Sequence, residues 1–183
     1  MALSSTIYNF DIQVSDVDRN VYETLPLRVA RHPSETEEYL VTRVLAYCLE
    51  YTEGIAFSKG LAQADEPALV VRDLTGELQA WIEVGAPDAD RLHKASKASP
   101  RVAVYILKEP RIFLGQLAGA RIHQAESIEI YAIDRALVEG LVTRLDRRTS
   151  LELAVTDRHI YATINGETLD GRVEPHVLAP ADR

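Results

Sequence analysis

One short region of the chain, residues 65–97, gathers most of the side chains that could do chemistry. It holds an acidic pair, Asp65-Glu66, then two apolar strands joined by a turn, and then a basic helix. The second strand carries a single carboxylate, Glu83, whose burial is costly unless it is paired or bound to a metal. Carboxylates at the ends of paired strands suit Mg²⁺, which takes oxygen ligands and keeps several waters. The chemistry indicated is phosphodiester hydrolysis, in which the metal polarises a phosphoryl oxygen and activates a water.

The register of this hairpin decides which acidic residue meets Glu83. With a two-residue turn, Glu83 lies opposite Ala68, and Glu66 is its diagonal neighbour on the same face. With a loop that is longer by one residue, Glu83 lies opposite Pro67, and Asp65 is the neighbour. In both registers the partner comes from the Asp65-Glu66 pair.

Asp73 is a further acidic residue of the hairpin, but it lies in the turn. The sequence DLTG, residues 73–76, is typical of a type I turn, with Asp first and Gly fourth. At ~3.3 Å per residue, Asp73 is ~16 Å along the strand from Glu83. We therefore interpret Asp73 as a turn former rather than a metal ligand.

The helix predicted over residues 88–98, which Asp88 can cap, supplies the basic groups. Arg91 and Lys94 are three residues apart and share a face, and Lys97 extends that face by another three. A lysine on this helix could stabilise developing phosphoryl charge, while Arg91 and Lys97 contact phosphate. Two alternatives stay open: the helix presents an ordinary solvated basic face, or Arg91 simply pairs with Glu83 and fixes the packing.

Hydrophobic periodicity predicts the elements that position these residues. The strands are predicted over residues 4–16, around 25–29, 55–58, 101–107, 127–133, 151–157 and 159–165, and the helices over 34–54, 88–98, 110–118 and 134–145. Ser34 and Glu37 form a capping box at the start of the first helix, and Gly54 is its predicted end. Pro26 indicates an edge strand or a bulge. The order over residues 34–107 is helix, strand, strand, strand, helix, strand.

The fold class predicted from this order is α/β (α+β), as a single domain over residues 1–183. The N- and C-terminal hairpins are expected to add an antiparallel sheet beside the core. A net charge of −8 argues against nonspecific coating of nucleic acid, although an acidic body can still carry a basic groove. We expect a cytoplasmic protein, because neither a signal peptide nor an apolar run of ~18 residues is present.

Other chemistries find little support in the chain. It lacks a glycine-rich phosphate loop and a G-x-S-x-G elbow, and its five histidines are scattered without zinc-ligand spacing. Cys48 is the one cysteine, which excludes a disulfide within the chain. It lies on the apolar face of a predicted helix, so we expect a core residue rather than a nucleophile.

Five segments, RHPSETEE, FSKGL, DEP, WIEVGAPD and RLHKASK, resemble in order and spacing the YaeQ family of small bacterial proteins. The resemblance spans essentially the whole chain. It implies a core over about residues 34–107 similar to the PD-(D/E)XK, or restriction-endonuclease-like, superfamily. Carried over to this chain, the first strand carboxylate falls on Asp65 or Glu66 and the second on Glu83. The first-helix carboxylate would be Glu38 or Glu35.

The chain departs from the superfamily pattern at Gly85, where the motif lysine would stand. Lys94, on the following helix, is the best-placed replacement. Two functions stay open at this point. One is a Mg²⁺-dependent, endonuclease-like phosphodiesterase with a degenerate site, acting on DNA or RNA. The other is a non-catalytic module that keeps the fold and binds nucleic acid or a protein partner.

Overall fold

A computed structural model describes residues 4–59, 65–107 and 109–179. The chain divides into two compact units. The first unit comprises residues 1–49 and 133–173, and the second comprises residues 50–132 and 174–183. No helix among the described residues is long and apolar enough to cross a membrane.

Ten strands and four α-helices make up the described part of the chain. In chain order they are β1 (Thr6–Asp16), β2 (Val21–Arg31), α1 (Glu37–Leu49), β3 (Ile55–Phe57), β4 (Leu69–Arg72), β5 (Leu78–Gly85), α2 (Ala89–Ala98), β6 (Val102–Ile106), α3 (Pro110–Leu117), β7 (Glu129–Ile133), α4 (Arg135–Val142), β8 (Arg148–Thr156), β9 (His159–Ile164) and β10 (Glu167–Val177). The order α1, β3, β4, β5, α2, β6 confirms the order predicted from the sequence. The protein is therefore a mixed α/β fold.

The first unit is built on a sheet with the strand order β2-β1-β8-β9-β10. Its strands alternate between buried apolar and exposed polar positions, because the side chains of a strand point to opposite faces in turn. Pro26 lies on β2, the strand at the end of this order, as the sequence predicted. The two terminal hairpins do share one sheet. It is not purely antiparallel, however, because β1 and β8 pair in parallel.

The first helix begins and ends at residues other than those the sequence predicted. The capping box at Ser34 is wrong, because the hydroxyl of Ser34 instead bonds to the ring of His32 at 2.5 Å. Thr36 caps α1, and its hydroxyl accepts a hydrogen bond from the backbone N–H of Tyr39 at 3.1 Å. The helix ends at Leu49 rather than at Gly54, which lies in a turn with a φ of +90°.

The second unit contains a sheet with the strand order β3-β4-β5-β6-β7. The first three strands pair antiparallel and the last three pair parallel. Every residue of β6 is buried, which confirms the prediction of a fully buried strand. Residues from β5, α2, β6 and α3 form one apolar cluster, which includes Trp81, Leu92, Val104 and Phe113. This cluster holds α2 beside β5, where the candidate site lies.

Candidate functional site

Glu83 is the buried centre of the candidate site. Its residue is only 4% exposed, and it points to the same face of β5 as Trp81, two positions earlier. The Oε1 atom of Glu83 accepts a hydrogen bond from the indole Nε1 of Trp81 at 2.7 Å and another from the Nε of Arg91 at 2.7 Å. Burial raises the pKa of the Glu83 carboxyl, and the bonds from Trp81 and Arg91 oppose that rise. The sequence alternative in which Arg91 pairs with Glu83 is confirmed.

Arg91 connects three parts of the site. Besides its bond to Glu83, its Nη2 donates to the backbone carbonyl of Glu66 at 2.6 Å. Its backbone N–H donates to the carboxylate of Asp88 at 2.8 Å, which caps α2 as the sequence predicted. The guanidinium is thus held at the start of α2, between β5 and the segment that precedes β4.

A second cation of α2, Lys94, pairs with the other carboxylate of the site. The Nζ of Lys94 lies 2.9 Å from the Oδ1 of Asp65. This hydrogen bond lowers the pKa of the Asp65 carboxyl. Both side chains are largely exposed, at 58% and 89%, so the pair contributes little to stability. The Oε2 of Glu66 accepts a hydrogen bond from the backbone N–H of Lys59 at 3.3 Å, and Lys97 is exposed further along α2.

The observed hairpin combines the two registers that the sequence allowed. Arg72 pairs with Leu78 next to the loop, and a bulge between Val71 and Arg72 then shifts the pairing by one residue. Beyond the bulge Leu69 pairs with Ile82, so Glu83 lies opposite the position of Ala68. The loop therefore has the longer form, while the strands beyond it have the register of the shorter one.

Asp73 is a turn former, as its position in the sequence predicted. Its Oδ1 accepts hydrogen bonds from the backbone N–H groups of Thr75 and Glu77, each at 2.9 Å. Its Oδ2 accepts a bond from the side chain of Gln79 at 3.0 Å. The hydroxyl of Thr75 also donates to Oδ1 at 2.6 Å, and this bond is the main cause that lowers the pKa of the Asp73 carboxyl, together with the backbone bonds and the bond from Gln79. The bonds hold the loop closed.

Gly85, the last residue of β5, has an unusual backbone conformation. The residue has a φ of +108°, a backbone conformation that glycine adopts freely and that strains a residue with a side chain. A lysine at this position would be strained by the backbone alone. The basic groups next to Glu83 and Asp65 come from α2, as Arg91 and Lys94. The catalytic role expected of Lys94 stays a prediction.

The placement of these residues does not fit a magnesium ion. Among the described residues no group of three or more His, Cys, Asp and Glu side chains lies together as a metal site would require. Glu83 pairs with Arg91 and Asp65 pairs with Lys94, whereas Glu66 accepts a hydrogen bond from the backbone N–H of Lys59. Two of the three expected Mg²⁺ ligands, Glu83 and Asp65, thus have cationic partners within the protein.

The two first-helix candidates both belong to the first unit. Glu35 is buried, and its Oε2 lies 3.0 Å from the Nη2 of Arg43, whose side chain is also buried. Burial raises the pKa of the Glu35 carboxyl, while the charge of Arg43 opposes the rise. Glu38 is exposed in the first turn of α1. Glu35 therefore has a structural partner of its own.

A second charged cluster, which no sequence pattern predicted, lies in the same unit as Glu83. Arg101 donates to both oxygens of Glu50, at 2.6 and 3.1 Å, and to both oxygens of Glu129, at 2.5 and 3.1 Å. The hydroxyl of Tyr105 donates to Glu50 at 2.6 Å, and that of Tyr131 donates to Glu129 at 2.7 Å. All four carboxylate oxygens therefore accept a hydrogen bond from Arg101.

This cluster has consequences for the titration of its members. Burial is the main cause that raises the pKa of Tyr131 to about 12, and it also raises the pKa of Tyr105. Burial by itself lowers the pKa of Arg101, but its hydrogen bonds to Glu50 and Glu129 outweigh that effect and raise it. Alternation along β6, extended back by one residue to Arg101, could have placed Arg101 on the same face as Tyr105. Alternation could not have shown that β6 and β7 are neighbours in the sheet, which brings Arg101 to Glu129.

Comparisons with known proteins agree on one family. A family model described as YaeQ protein matches residues 1–173. A relative from Salmonella typhi, described as uncharacterized protein YaeQ, is 32% identical over 88% of this chain and 90% of its own length. A relative of the same description from Escherichia coli (strain K12) is 30% identical over 93% of this chain and 94% of its own.

Solved structures agree with the same assignment. The crystal structure of YaeQ protein from Pseudomonas syringae has a TM-score of 0.84 at 32% identity, and the match covers 93% of this chain and 95% of that one. The crystal structure of YaeQ protein from Xanthomonas axonopodis pv. citri has a TM-score of 0.87 at 28% identity, with coverage of 96% and 100%.

Proposed function

The chain belongs to the YaeQ family, and we propose that it is a non-catalytic module with a nuclease-like core that binds nucleic acid through α2. One observation carries the proposal. The buried strand carboxylate Glu83 pairs with Arg91 of α2, and the exposed carboxylate Asp65 pairs with Lys94 of the same helix. In such a site the carboxylates are neutralised by side chains of the protein, and the cations of α2, rather than a metal ion, would contact a phosphodiester.

The exposed cations of α2 are the groups expected to contact phosphate. The side chain of Lys94 is 58% exposed, and its exposed ion pair with Asp65 is weak enough for a phosphate oxygen to replace the carboxylate. Lys97 is exposed one turn further along the same helix. Because the protein as a whole carries a charge of −8, we expect weak binding that is confined to this helix.

Fluorescence anisotropy with labelled single- and double-stranded oligonucleotides of DNA and RNA, at low salt and in EDTA, tests this proposal. We expect binding that weakens steeply with salt. Lys94→Gln and Lys97→Gln should each weaken binding to all sequences alike and reduce the salt slope by about 1. Arg111→Gln is the matched control, because it removes an exposed charge from α3 rather than α2.

Two results would overturn the proposal. The first is the absence of measurable binding at low salt, or equal binding by the wild type and the Lys94→Gln/Lys97→Gln double variant. The second is cleavage of DNA or RNA by highly purified protein that requires Mg²⁺ or Mn²⁺ and is lost in Glu83→Ala. That second result would establish the metal-dependent phosphodiesterase instead.

A further inference from the structure

We propose that Arg91 occupies the place of a divalent cation at Glu83, so that the wild-type site excludes the metal and a variant without the guanidinium accepts it. The inference rests on the proposed function and explains why the site would bind without cutting. It concerns the residues of this chain alone.

The first step of the argument is that Arg91 is fixed in place. Its Nε donates to Glu83 at 2.7 Å, its Nη2 donates to the carbonyl of Glu66 at 2.6 Å, and its backbone N–H donates to Asp88 at 2.8 Å. Its side chain is only 29% exposed. A guanidinium with a planar set of donors is well suited to hold two oxygens at once. Arg91 is therefore a built-in partner of the site rather than a mobile surface cation.

The second step is that the two oxygens held by Arg91 converge. The Oε1 of Glu83 and the carbonyl oxygen of Glu66 accept hydrogen bonds from different nitrogens of one guanidinium. They therefore point at a region no larger than that group. A carboxylate oxygen and a backbone carbonyl oxygen are both ligands that hard divalent cations take. Without the guanidinium, the same region would present two oxygens to a cation.

The third step concerns the remaining oxygen of Glu83. Both of its hydrogen bonds from side chains go to Oε1, and in the described part of the chain no donor bonds to Oε2. Trp81 would keep the carboxylate in its present orientation after Arg91 is removed. A buried carboxylate that has lost its cation is strongly unfavourable, so the pocket would favour any cation that can enter.

The experiment is a titration with Mn²⁺ of the full chain, followed by the fluorescence of Trp81. Trp81 is the single tryptophan of the protein, and its indole bonds directly to Glu83, so a paramagnetic ion at the site should quench it. Isothermal titration calorimetry with Mn²⁺ gives the affinity independently. We compare the wild type, Arg91→Ala, the control Arg111→Ala, and the double variant Glu83→Gln/Arg91→Ala.

We expect Arg91→Ala to bind Mn²⁺ at least about tenfold more tightly than the wild type. The Arg111→Ala control, which also loses one positive charge but from α3, should behave like the wild type. The double variant should lose the gain, because it lacks the carboxylate charge. If Arg91→Ala does not fold alone, Mn²⁺ should restore its thermal unfolding transition, and Arg91→Gln provides the same test with a larger side chain.

The proposal is overturned if the wild type binds Mn²⁺ as tightly as Arg91→Ala, or if neither Arg91→Ala nor Arg91→Gln gains affinity or stability from the metal. It is equally overturned if the double variant keeps the gain. Nucleic-acid binding by the wild type in EDTA tests the proposed function separately. The metal-exclusion proposal and the proposed function can therefore each be refuted without refuting the other.

Discussion

Replacing Arg101 by alanine should destabilise the second unit strongly, because the side chain neutralises a buried carboxylate. Glu50 is 7% exposed, and among the residues that the structure describes only Tyr105 would still donate a hydrogen bond to it without Arg101. Breaking a buried ion pair by removing one partner costs about 3–5 kcal/mol. Glu129 is 36% exposed in its side chain, so water can replace its part of the interaction, and the pair adds about 1 kcal/mol or less.

The measurement is urea unfolding followed by the fluorescence of Trp81, which lies in the same unit as Arg101. We expect a loss of about 3–5 kcal/mol in the free energy of unfolding. In a thermal scan this corresponds to a decrease in Tm of roughly 6–20 °C for a chain of this size. The control, Arg111→Ala, removes an exposed arginine of α3 and should change stability by about 0.5 kcal/mol or less.

A second variant separates the electrostatic cause from lost packing. In Glu50→Gln/Arg101→Ala the buried charge is absent, so the double variant should be more stable than Arg101→Ala. The reasoning would be refuted if Arg101→Ala cost less than about 1 kcal/mol, the range of an exposed pair. It would also be refuted if the double variant were no more stable than the single one.

Three further predictions follow from other buried features. Glu35→Leu should lower the free energy of unfolding in chemical denaturation by about 3–5 kcal/mol, because it leaves the buried Arg43 without its carboxylate. The double variant Glu35→Leu/Arg43→Met should recover most of that loss. Equal losses in the two variants would contradict this account. Burial raises the pKa of Cys48 to about 12, so a thiol reagent at pH 8 should label the native protein only as fast as the protein unfolds. Rapid labelling of the native protein would show that Cys48 is not buried. Gly54→Ala should lower the free energy of unfolding in urea by more than about 1 kcal/mol, because φ is +90° and the new Cβ would lie 1.9 Å from the carbonyl oxygen of Arg72. An unchanged urea midpoint would refute this steric clash.

Local patterns in the sequence predicted most of the elements correctly. Alternation in β1 and β6 and the cap at Asp88 depend on neighbours within a few residues, so they can be recognised from a single chain. The predicted start of α1 was wrong because Ser34 and Thr36 are both residue types that favour the N-cap position. Only the contact between Ser34 and His32 decides between them. The bulge in the hairpin was likewise beyond the sequence, which allowed two registers where the structure combines both.

The sequence by itself determined that Glu83 shares a face with Trp81, because side chains two residues apart on a strand point the same way. It also determined that Arg91 and Lys94 share a face of α2. Only the tertiary structure decided that Arg91 reaches Glu83, that Lys94 reaches Asp65, and that Arg101 joins Glu50 to Glu129. Periodicity specifies directions within one element. The choice of partner depends on packing between separate elements, and that packing brings Arg91 of α2 to Glu83 of β5.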